Sequence, residues 1–209
     1  MVAFGSPGAA IRAQNERRAL NNNLAGKVGL VTGNIAVVHA DVIVTATNRH
    51  LTPGGAVNNA VHMAAGPELY QKLEEIRYCE PGDAKITDGF NSPARFIIST
   101  VGPTNQDRRI LASCYQKCME LCELHNARTI VFPCIATGAF GFDHETAANI
   151  ALSNVRAYLE RNLVSGKDSF DKVLFCTYTA NDQSIYSQLL PVYFPSNGLE
   201  QPFPIPPPI

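Results

Sequence analysis

The stretch Leu51-Thr-Pro-Gly-Gly-Ala-Val57, which we call the first glycine loop, follows the apolar run Val42-Ile-Val44 and opens a helical pattern. A second glycine loop, Ala136-Thr-Gly-Ala-Phe-Gly141, follows Ile130-Val-Phe132 and also opens a helical pattern. A strand that passes through small residues into a helix leaves several backbone N–H groups unpaired and pointing one way, which attracts anions and above all phosphate. Two such loops in one small domain predict a ligand with more than one phosphate, held from both sides.

Strands and helices alternate along the rest of the chain. Several apolar runs show no polar alternation, as expected for strands covered on both faces, and the order of elements predicts an α/β sandwich with a largely parallel sheet. The predicted strands are Lys27–Thr32, Val42–Ala46, Arg95–Val101, Thr129–Cys134 and Lys172–Thr177. The predicted helices are Gly55–Ala65, Pro67–Ile76, Arg109–Asn126, His144–Asn162 and Gln183–Leu190.

Composition and charge exclude several classes of protein. The 209 residues fit one domain with a core, and 45% hydrophobic with 17% charged residues is too apolar for a disordered chain. A formal net charge of −1 gives no electrostatic footprint for DNA or RNA, so we expect no nucleic-acid partner. No apolar run is long enough for a membrane span, and the first residues do not resemble a signal peptide. We therefore expect the cytoplasm, the nucleus or both.

Cys114, Cys118 and Cys122 recur at every fourth residue, which raises the question of a metal site. Eight residues of helix rise about 12 Å, so Cys114 and Cys122 cannot share one ion. We expect a buried helical stripe in which cysteine acts as a small hydrophobic residue. His144-Glu-Thr-Ala-Ala148 lacks the second histidine of a zinc protease helix. We therefore predict no metal and no cofactor.

Composition also divides the chain into three parts. Residues 1–24 are polar and rich in Asn, Arg and Ala, and we expect a loose or helical N-terminal arm. Residues 25–195 carry the alternating pattern of the domain. The last nineteen residues hold seven of the 14 prolines, and we interpret 196–209 as an extended tail or a linker to a further domain. A polyproline ligand for an adaptor domain is the alternative.

Ligands of open α/β sheets bind beyond the carboxyl ends of the strands. The chain has neither a G-x-G-x-x-G pattern after its first strand nor the Gly-Lys-Ser/Thr of a P-loop, so a dehydrogenase and a nucleoside triphosphatase lose their main support. The residues that follow the predicted strands would nevertheless converge on one rim: Gly33-Asn-Ile35, Asn48, residues 54–57, residues 137–141 and Tyr178.

A series of motifs runs from about residue 27 to 195: Val31-Thr-Gly-Asn-Ile35, Asp41-Val-Ile-Val-Thr-Ala-Thr-Asn48, Pro53-Gly-Gly-Ala-Val57, His62-Met-Ala-Ala-Gly-Pro67, Gly82-Asp-Ala-Lys-Ile-Thr87, Thr100-Val-Gly-Pro103, Phe132-Pro-Cys-Ile-Ala-Thr-Gly-Ala-Phe-Gly141 and Leu190-Pro-Val-Tyr-Phe-Pro195. Together these motifs resemble the macro domain family, and within it the MacroD-type branch. Gly89-Phe-Asn91 and Ala94-Arg-Phe-Ile-Ile98 are also similar to the macro domain of ganglioside-induced differentiation-associated protein 2. The resemblance implies a three-layer α/β/α macro domain over residues 25–195, with a mixed, largely parallel central sheet.

Because the family binds ADP-ribose, the resemblance implies that ADP-ribose and mono-ADP-ribosylated proteins are the partners of a monomeric domain. The diphosphate would lie between the two glycine loops, where glycine lets the backbone approach closely and adopt positive φ. The alternative is that both loops are only tight turns after strands. The implied ligand-binding residues are Asn34, Ile35, Gly54, Gly55, Ala56, Val57, Thr137, Gly138, Ala139, Gly141 and Tyr178.

The resemblance also implies roles for three side chains. Asn48 would bond the distal ribose, since an amide offers a donor and an acceptor to a diol; its alternative is a turn asparagine after a strand. Phe140 would cover that ribose and could position a water near the anomeric carbon. Tyr178 matches the aromatic residue that stacks on adenine, and its alternative is ordinary packing.

Four positions depart from the family pattern. Asn34 stands where the family usually has an Asp that receives the adenine amino group; the Asn carbonyl can still accept that bond without charge assistance, so we expect a somewhat weakened adenine preference. Asn58 stands where MacroD-type hydrolases carry an Asp implicated in catalysis, and Asn cannot act as a general base. Ala56 and Ala136 replace a family glycine and a family serine.

The resemblance thus leaves two main functions open. The first is a mono-ADP-ribosylhydrolase that frees ADP-ribose from acidic side chains, with deacetylation of O-acetyl-ADP-ribose as an additional activity; its catalytic residues would be Asn48, Asn58 and Phe140. The second is a reader that binds ADP-ribose or ADP-ribosylated proteins and catalyses nothing. Asn58 favours the reader, whereas the intact Asn48 and Phe140 favour the enzyme. The two intact loops disfavour a vestigial site in an interaction scaffold.

Overall fold

The computed structural model describes residues 7–196, so residues 1–6 of the predicted arm and 197–209 of the predicted tail lie outside it. Its strands are β1 Val28–Thr32, β2 Val42–Ala46, β3 Ala84–Asp88, β4 Phe96–Thr100, β5 Thr129–Pro133 and β6 Lys172–Thr177. They form one sheet in the order β1-β6-β5-β2-β4-β3, in which every neighbouring pair is parallel except β3 with β4. The predicted mixed, largely parallel sheet is confirmed.

The central strand β2 shows why these strands form. Val42, Ile43 and Val44 are fully buried. Val42 and Val44 belong to one core cluster and Ile43 to the other, because successive side chains of a strand point to opposite faces. The five strands that the sequence predicts are all present, and none of their ends differs from the prediction by more than one residue.

The edge strand β3 is the element that the sequence analysis missed. Its sequence Ala84-Lys-Ile-Thr-Asp88 mixes polar and apolar residues, and only Ala84 and Thr87 are buried. It pairs antiparallel with β4, with Ile86 opposite Ile98. An edge strand needs less apolar surface than a strand covered on both faces, so its sequence carries a weaker signal.

The helices are α1 Pro7–Lys27, α2 Ala56–Ala65, α3 Pro67–Ile76, α4 Arg108–Leu124, α5 His144–Val164 and α6 Ala180–Tyr193. One core cluster joins α2, α3 and a short 3₁₀ helix, Ile35–Val37, to one face of the sheet. The other cluster joins α4, α5, α6 and the end of α1 to the opposite face. This arrangement confirms the three-layer α/β/α fold. None of the helices within residues 7–196 is long and apolar enough to cross a membrane.

Helix α6 differs most from its predicted bounds. It begins at Ala180 rather than Gln183, because the Thr179 side chain accepts a hydrogen bond from the Asp182 N–H and caps the helix (3.1 Å). It also continues through Pro191 to Tyr193, beyond the predicted end at Leu190. Proline removes one backbone donor, and the helix nevertheless continues to Tyr193, which is buried in the core.

The cysteines of α4 lie on its buried face, as predicted. Cys114, Cys118 and Cys122 are completely buried within the core cluster beside Tyr115 and Met119. Burial raises the pKa of Cys114 to about 11, so this thiol stays protonated near neutral pH. The stripe therefore contributes packing.

Helix α1, which covers most of the predicted arm, is tied to the domain by polar contacts. The buried Arg156 of α5 donates to Asn21 of α1 (2.7 Å) and to the backbone carbonyl of Tyr193 in α6, and it pairs with Glu160 (2.5 Å). At the end of α1, Lys27 pairs with Asp168 (2.7 Å). One guanidinium thus joins three helices, since its several donors can bond in different directions.

Asp41 holds together the starts of three neighbouring strands. Its carboxylate accepts from the N–H of Arg128 (2.8 Å) and from the N–H and hydroxyl of Thr129 (2.9 and 3.0 Å), and its carbonyl accepts from Phe96 (2.8 Å). Burial alone raises the pKa of Asp41, but these donors favour the charged form more strongly, so the pKa lies below its ordinary value.

Replacing Asp41 by Asn should lower the free energy of unfolding by about 1–2 kcal/mol at neutral pH, because charge-assisted bonds are lost. A carboxyl group whose pKa is lowered by folding stabilises the protein above its unfolded-state pKa, and this contribution is lost as the pH falls through the folded-state value. The difference between wild type and Asp41→Asn should therefore shrink in acid. Urea denaturation at about pH 7 and about pH 3 measures it, and an equal difference at both would contradict this account.

Candidate functional site

A cleft of about 350 Å³ opens at the edge where the parallel strands end. It lies between the segments that follow β1, β5 and β6 and the first turns of α2 and α6. No lysine or arginine is among the described residues that line it, so an anionic ligand would rely on backbone donors. The lining consists of Gly33, Asn34, Ile35, Ala56, Val57, Ala60, Pro133, Cys134, Thr137, Gly138, Cys176, Tyr178, Thr179 and Asp182.

The first glycine loop presents the start of α2 to this cleft. Gly55 precedes the helix with φ 74°, a left-handed conformation that favours glycine, and it provides no side-chain cap. Ala56, Val57 and Ala60 of α2 line the cleft. The first N–H groups of a helix have no intrahelical partner and carry the positive end of its dipole, so this helix start suits a phosphate group.

Asn48 makes the contacts of a turn asparagine. Its Nδ2 donates to the Thr52 hydroxyl (2.7 Å), and its Oδ1 accepts from the N–H of His50 (2.9 Å). It is half-buried and is not part of the cleft lining. The amide therefore shapes the start of the first glycine loop, and its contact with a ribose stays a prediction.

Asn58 lies beneath the first glycine loop, with 1% of its surface exposed, and is not part of the cleft lining. Its Oδ1 accepts from the Thr45 hydroxyl of β2 (3.2 Å), and its Nδ2 donates to the Thr52 carbonyl (3.1 Å) and to Thr47 Oγ1 (3.4 Å). Both ends of the amide are thus used to fasten the loop to β2. In this position Asn58 supports the loop rather than facing a ligand.

The second glycine loop follows β5 and folds back on itself. The Gly141 N–H donates to the Gly138 carbonyl (2.9 Å), and the Phe142 N–H donates to the carbonyl of Ala136 (3.0 Å). Ala136 adopts φ 68°, which is unusual for a residue with a Cβ and indicates a tightly constrained turn. Thr137 and Gly138 line the same cleft as the first residues of α2.

The remaining residues of the second loop lie outside the lining. Ala139 and Gly141 are exposed, and Phe140 is half-buried with its side chain packed against the main core cluster. Gly54 and Gly55 of the first loop are likewise exposed and outside the lining. The cleft therefore takes in seven of the fourteen predicted site residues: Asn34, Ile35, Ala56, Val57, Thr137, Gly138 and Tyr178.

Gln106 fastens the second glycine loop from a neighbouring segment, and the sequence analysis missed it. Its Nε2 donates to the Gly141 carbonyl (3.0 Å) and its Oε1 accepts from the Asp143 N–H (3.1 Å). Asp143 in turn caps α5 by accepting from the Thr146 N–H (2.8 Å). No sequence pattern marks such a contact, because the partners are more than thirty residues apart.

The outer end of the cleft carries an exposed aromatic ring next to an amide. Tyr178 follows β6 and is 75% exposed, so ordinary packing does not account for it. Asn34 follows β1, and its Oδ1 accepts from the Ala36 N–H (3.0 Å) at the start of the 3₁₀ helix. The two residues are neighbours because Gly33 donates to the carbonyl of Thr177 (2.9 Å).

Asp182 is a further lining residue that the sequence analysis missed. Its Oδ1 lies 2.6 Å from His144 Nδ1, and its Oδ2 accepts from the Thr179 hydroxyl (2.7 Å). The pattern Thr179-x-x-Asp182 resembles a capping box and could have indicated this helix start. The carboxylate joins the start of α6 to His144, the first residue of α5.

Two cysteines complete the lining. Burial raises the pKa of Cys176 to about 11 and also raises the pKa of Cys134. A thiol is nucleophilic as the thiolate, so neither side chain is an activated nucleophile near neutral pH.

Comparison with known proteins agrees with this geometry. The macro domain family model matches residues 44–151. ADP-ribose glycohydrolase MACROD2 of Xenopus laevis is 40% identical over 189 residues, 88% of this chain and 44% of that protein. ADP-ribose glycohydrolase MACROD1 of Mus musculus is 37% identical over 90% of this chain and 59% of its own length. A macro domain-containing protein of Ralstonia nicotianae is 42% identical over 75% of this chain and 90% of its own length.

Solved structures are similar as well. The macro domain of ganglioside-induced differentiation-associated protein 2 superposes with a TM-score of 0.77 at 35% identity, covering 83% of this chain and 87% of that domain. The Trypanosoma brucei macrodomain in complex with ADP-ribose gives 0.75 at 29% identity, covering 78% and 68%. A variant macrodomain of Oceanobacillus iheyensis with ADPR gives 0.73 at 35% identity, covering 80% and 94%.

This chain belongs to the macro domain family. It spans about half the length of the two curated glycohydrolases.

Replacing Asn58 by Asp should destabilise the protein by about 1–3 kcal/mol near neutral pH, because a carboxylate would face the Thr52 carbonyl in place of a donor. The matched control is Asn59→Asp, which adds the same charge at an exposed position of the same helix. In acid the carboxyl group of Asn58→Asp is protonated and can donate a hydrogen bond. The difference in unfolding free energy between Asn58→Asp and Asn59→Asp should therefore become smaller. Urea denaturation of the two variants measures this, and equal stabilities near neutral pH would contradict the supporting role of Asn58.

Proposed function

We propose that this chain binds ADP-ribose in the cleft and hydrolyses the bond that joins ADP-ribose to acidic side chains of proteins. The observation that carries the proposal is that two backbone-donor elements line one cleft. They are the start of α2, with Ala56 and Val57, and the second loop, with Thr137 and Gly138. A diphosphate fits between them, and the exposed ring of Tyr178 offers a stacking face for a base at the outer end.

Known relatives support this proposal. The Trypanosoma brucei macrodomain is solved with ADP-ribose, and the curated relatives from Xenopus laevis and Mus musculus are ADP-ribose glycohydrolases. We propose that mono-ADP-ribosylated proteins are the substrates, as the acidic-side-chain bond requires.

The spacing of three site residues adds support. The Oceanobacillus iheyensis macrodomain has been solved with an asparagine, a glycine and an aspartate replaced in separate variants, and the three positions are separated by seven and three residues. Asn48, Gly55 and Asn58 have the same separations in this chain. We propose that they correspond, with an amide in place of the aspartate at Asn58.

The proposed hydrolysis does not require an acidic residue that protonates the leaving group. Hydrolysis adds water to the anomeric carbon and breaks its bond to a carboxylate oxygen, and a carboxylate leaves without needing a proton because its conjugate acid has a pKa of about 4. The site must therefore hold the ribose and position a water. Since Asn58 is buried and cannot accept a proton, we propose that the diphosphate of the ligand orients this water, with Phe140 covering the ribose.

A reader that binds ADP-ribose without hydrolysis is the second candidate. The observation that favours it is the hydrogen bonding of Asn58, whose Oδ1 bonds to Thr45 and whose Nδ2 bonds to Thr47 and Thr52. In this alternative the same cleft binds the same ligand, and the distal ribose lacks an activated water.

Gly138→Glu tests the binding site. A Cβ at Gly138 meets no atom within 4 Å and its φ is not positive, so the variant should fold normally while its carboxylate occupies the cleft. We expect ADP-ribose affinity to fall at least about tenfold through like-charge repulsion, with an unchanged melting temperature. The matched control is Gly26→Glu, which is equally unhindered and lies in α1. Calorimetric titration measures both, and equal affinities of the two variants would contradict the proposed site.

Incubation with a glutamate-ADP-ribosylated protein separates the enzyme from the reader. The wild-type protein should release free ADP-ribose in single-turnover experiments, and Gly138→Glu should release it at least about tenfold more slowly when the enzyme concentration is below its dissociation constant. Tight binding by the wild type without any release would reject the hydrolase and leave the reader.

A further inference from the structure

The Asn34 side chain is fixed with its amide nitrogen directed away from the backbone. Its Oδ1 accepts from the Ala36 N–H (3.0 Å), and none of the described residues accepts a hydrogen bond from its Nδ2. Asn34 lines the cleft beside Tyr178. The group that Asn34 offers to a ligand is therefore an N–H donor.

This orientation cannot be reversed without cost. If the amide turned over, its NH₂ group would face the Ala36 N–H, and both groups would be donors. Ala36 is 2% exposed, so its N–H would then lack both its side-chain acceptor and free access to water. The capping bond to Ala36 thus determines the hydrogen-bonding polarity that the cleft presents at Asn34.

Asp182 is the carboxylate in the lining, and its oxygens bond to groups of the protein, Oδ1 beside His144 Nδ1 and Oδ2 to the Thr179 hydroxyl. A base stacked on Tyr178 would therefore meet a donor at Asn34. Adenine carries an amino donor at ring position 6, whereas a 6-oxopurine carries a carbonyl acceptor there.

We propose that Asn34 is a specificity-determining residue that removes the preference for adenine, so that the cleft binds a 6-oxopurine diphosphate ribose at least as tightly as ADP-ribose. This inference rests on the proposed binding of a nucleoside diphosphate ribose. It differs from the expectation drawn from the sequence, in which the Asn34 carbonyl accepts from the adenine amino group, because that carbonyl is already bonded to Ala36.

The test compares two ligands on three proteins by calorimetric titration. The ligands are ADP-ribose and its deaminated counterpart, in which hypoxanthine replaces adenine. The proteins are the wild type, Asn34→Asp and Asn181→Asp, the last of which adds the same charge at an exposed residue of α6 outside the lining. Melting temperatures of all three check that each is folded.

The wild type and Asn181→Asp should bind the hypoxanthine ligand at least as tightly as ADP-ribose. Asn34→Asp should prefer ADP-ribose by about tenfold or more, because one carboxylate oxygen keeps the capping bond to Ala36 while the other accepts from the amino group. A wild type that prefers ADP-ribose tenfold, or an Asn34→Asp variant with an unchanged ratio, would overturn the inference and leave the proposed function standing. A folded wild type that binds neither ligand would overturn both.

Discussion

The candidate site depends on one constraint, which is that parallel strands side by side must all end at the same edge of the sheet. β1, β6 and β5 pair in register, so the segments after Thr32, Thr177 and Pro133 emerge together. Inside the sheet every strand bonds its backbone groups to a neighbour, and unpaired N–H groups therefore collect where the strands stop. The cleft is formed by those loop ends and by the start of α2, which explains how it can suit an anion without a lysine or arginine among its described lining residues.

The first glycine loop is held by amides that converge on Thr52. Asn48 donates to the hydroxyl and the carbonyl of Thr52, and Asn58 donates to the same carbonyl. The second loop is held in a similar way by Gln106, which bonds both Gly141 and Asp143. Loops fixed in this way lose little conformational entropy when a ligand arrives, and this benefits affinity. The same contacts occupy the polar atoms that a catalytic role would need.

Elements whose formation depends on burial could be predicted from the sequence, whereas the roles of residues that act through tertiary contacts could not. β2 and α3 could be predicted to the residue, because their apolar patterns and the Pro67 start are local signals. β3 was not predicted, because a half-exposed edge strand has only a weak pattern of apolar residues. The cleft positions in both loops could be predicted from motif and spacing. The direction of the Asn58 and Asn34 amides could not, since it depends on Thr52 and Ala36 as hydrogen-bond partners in the folded chain.

These two asparagines bear differently on the proposed function. At Asn34 an amide in place of a carboxylate would change what the cleft recognises, because Asn34 lines the cleft and its Oδ1 is bonded to the Ala36 N–H. At Asn58 an amide in place of a carboxylate affects the support of the first glycine loop, because its Oδ1 and Nδ2 bond to Thr45 and Thr52 and Asn58 does not line the cleft. Because Asn58 cannot accept a proton, we assign the orientation of the water to the ligand's own diphosphate. The two glycine loops would then serve catalysis through the position in which they hold that diphosphate.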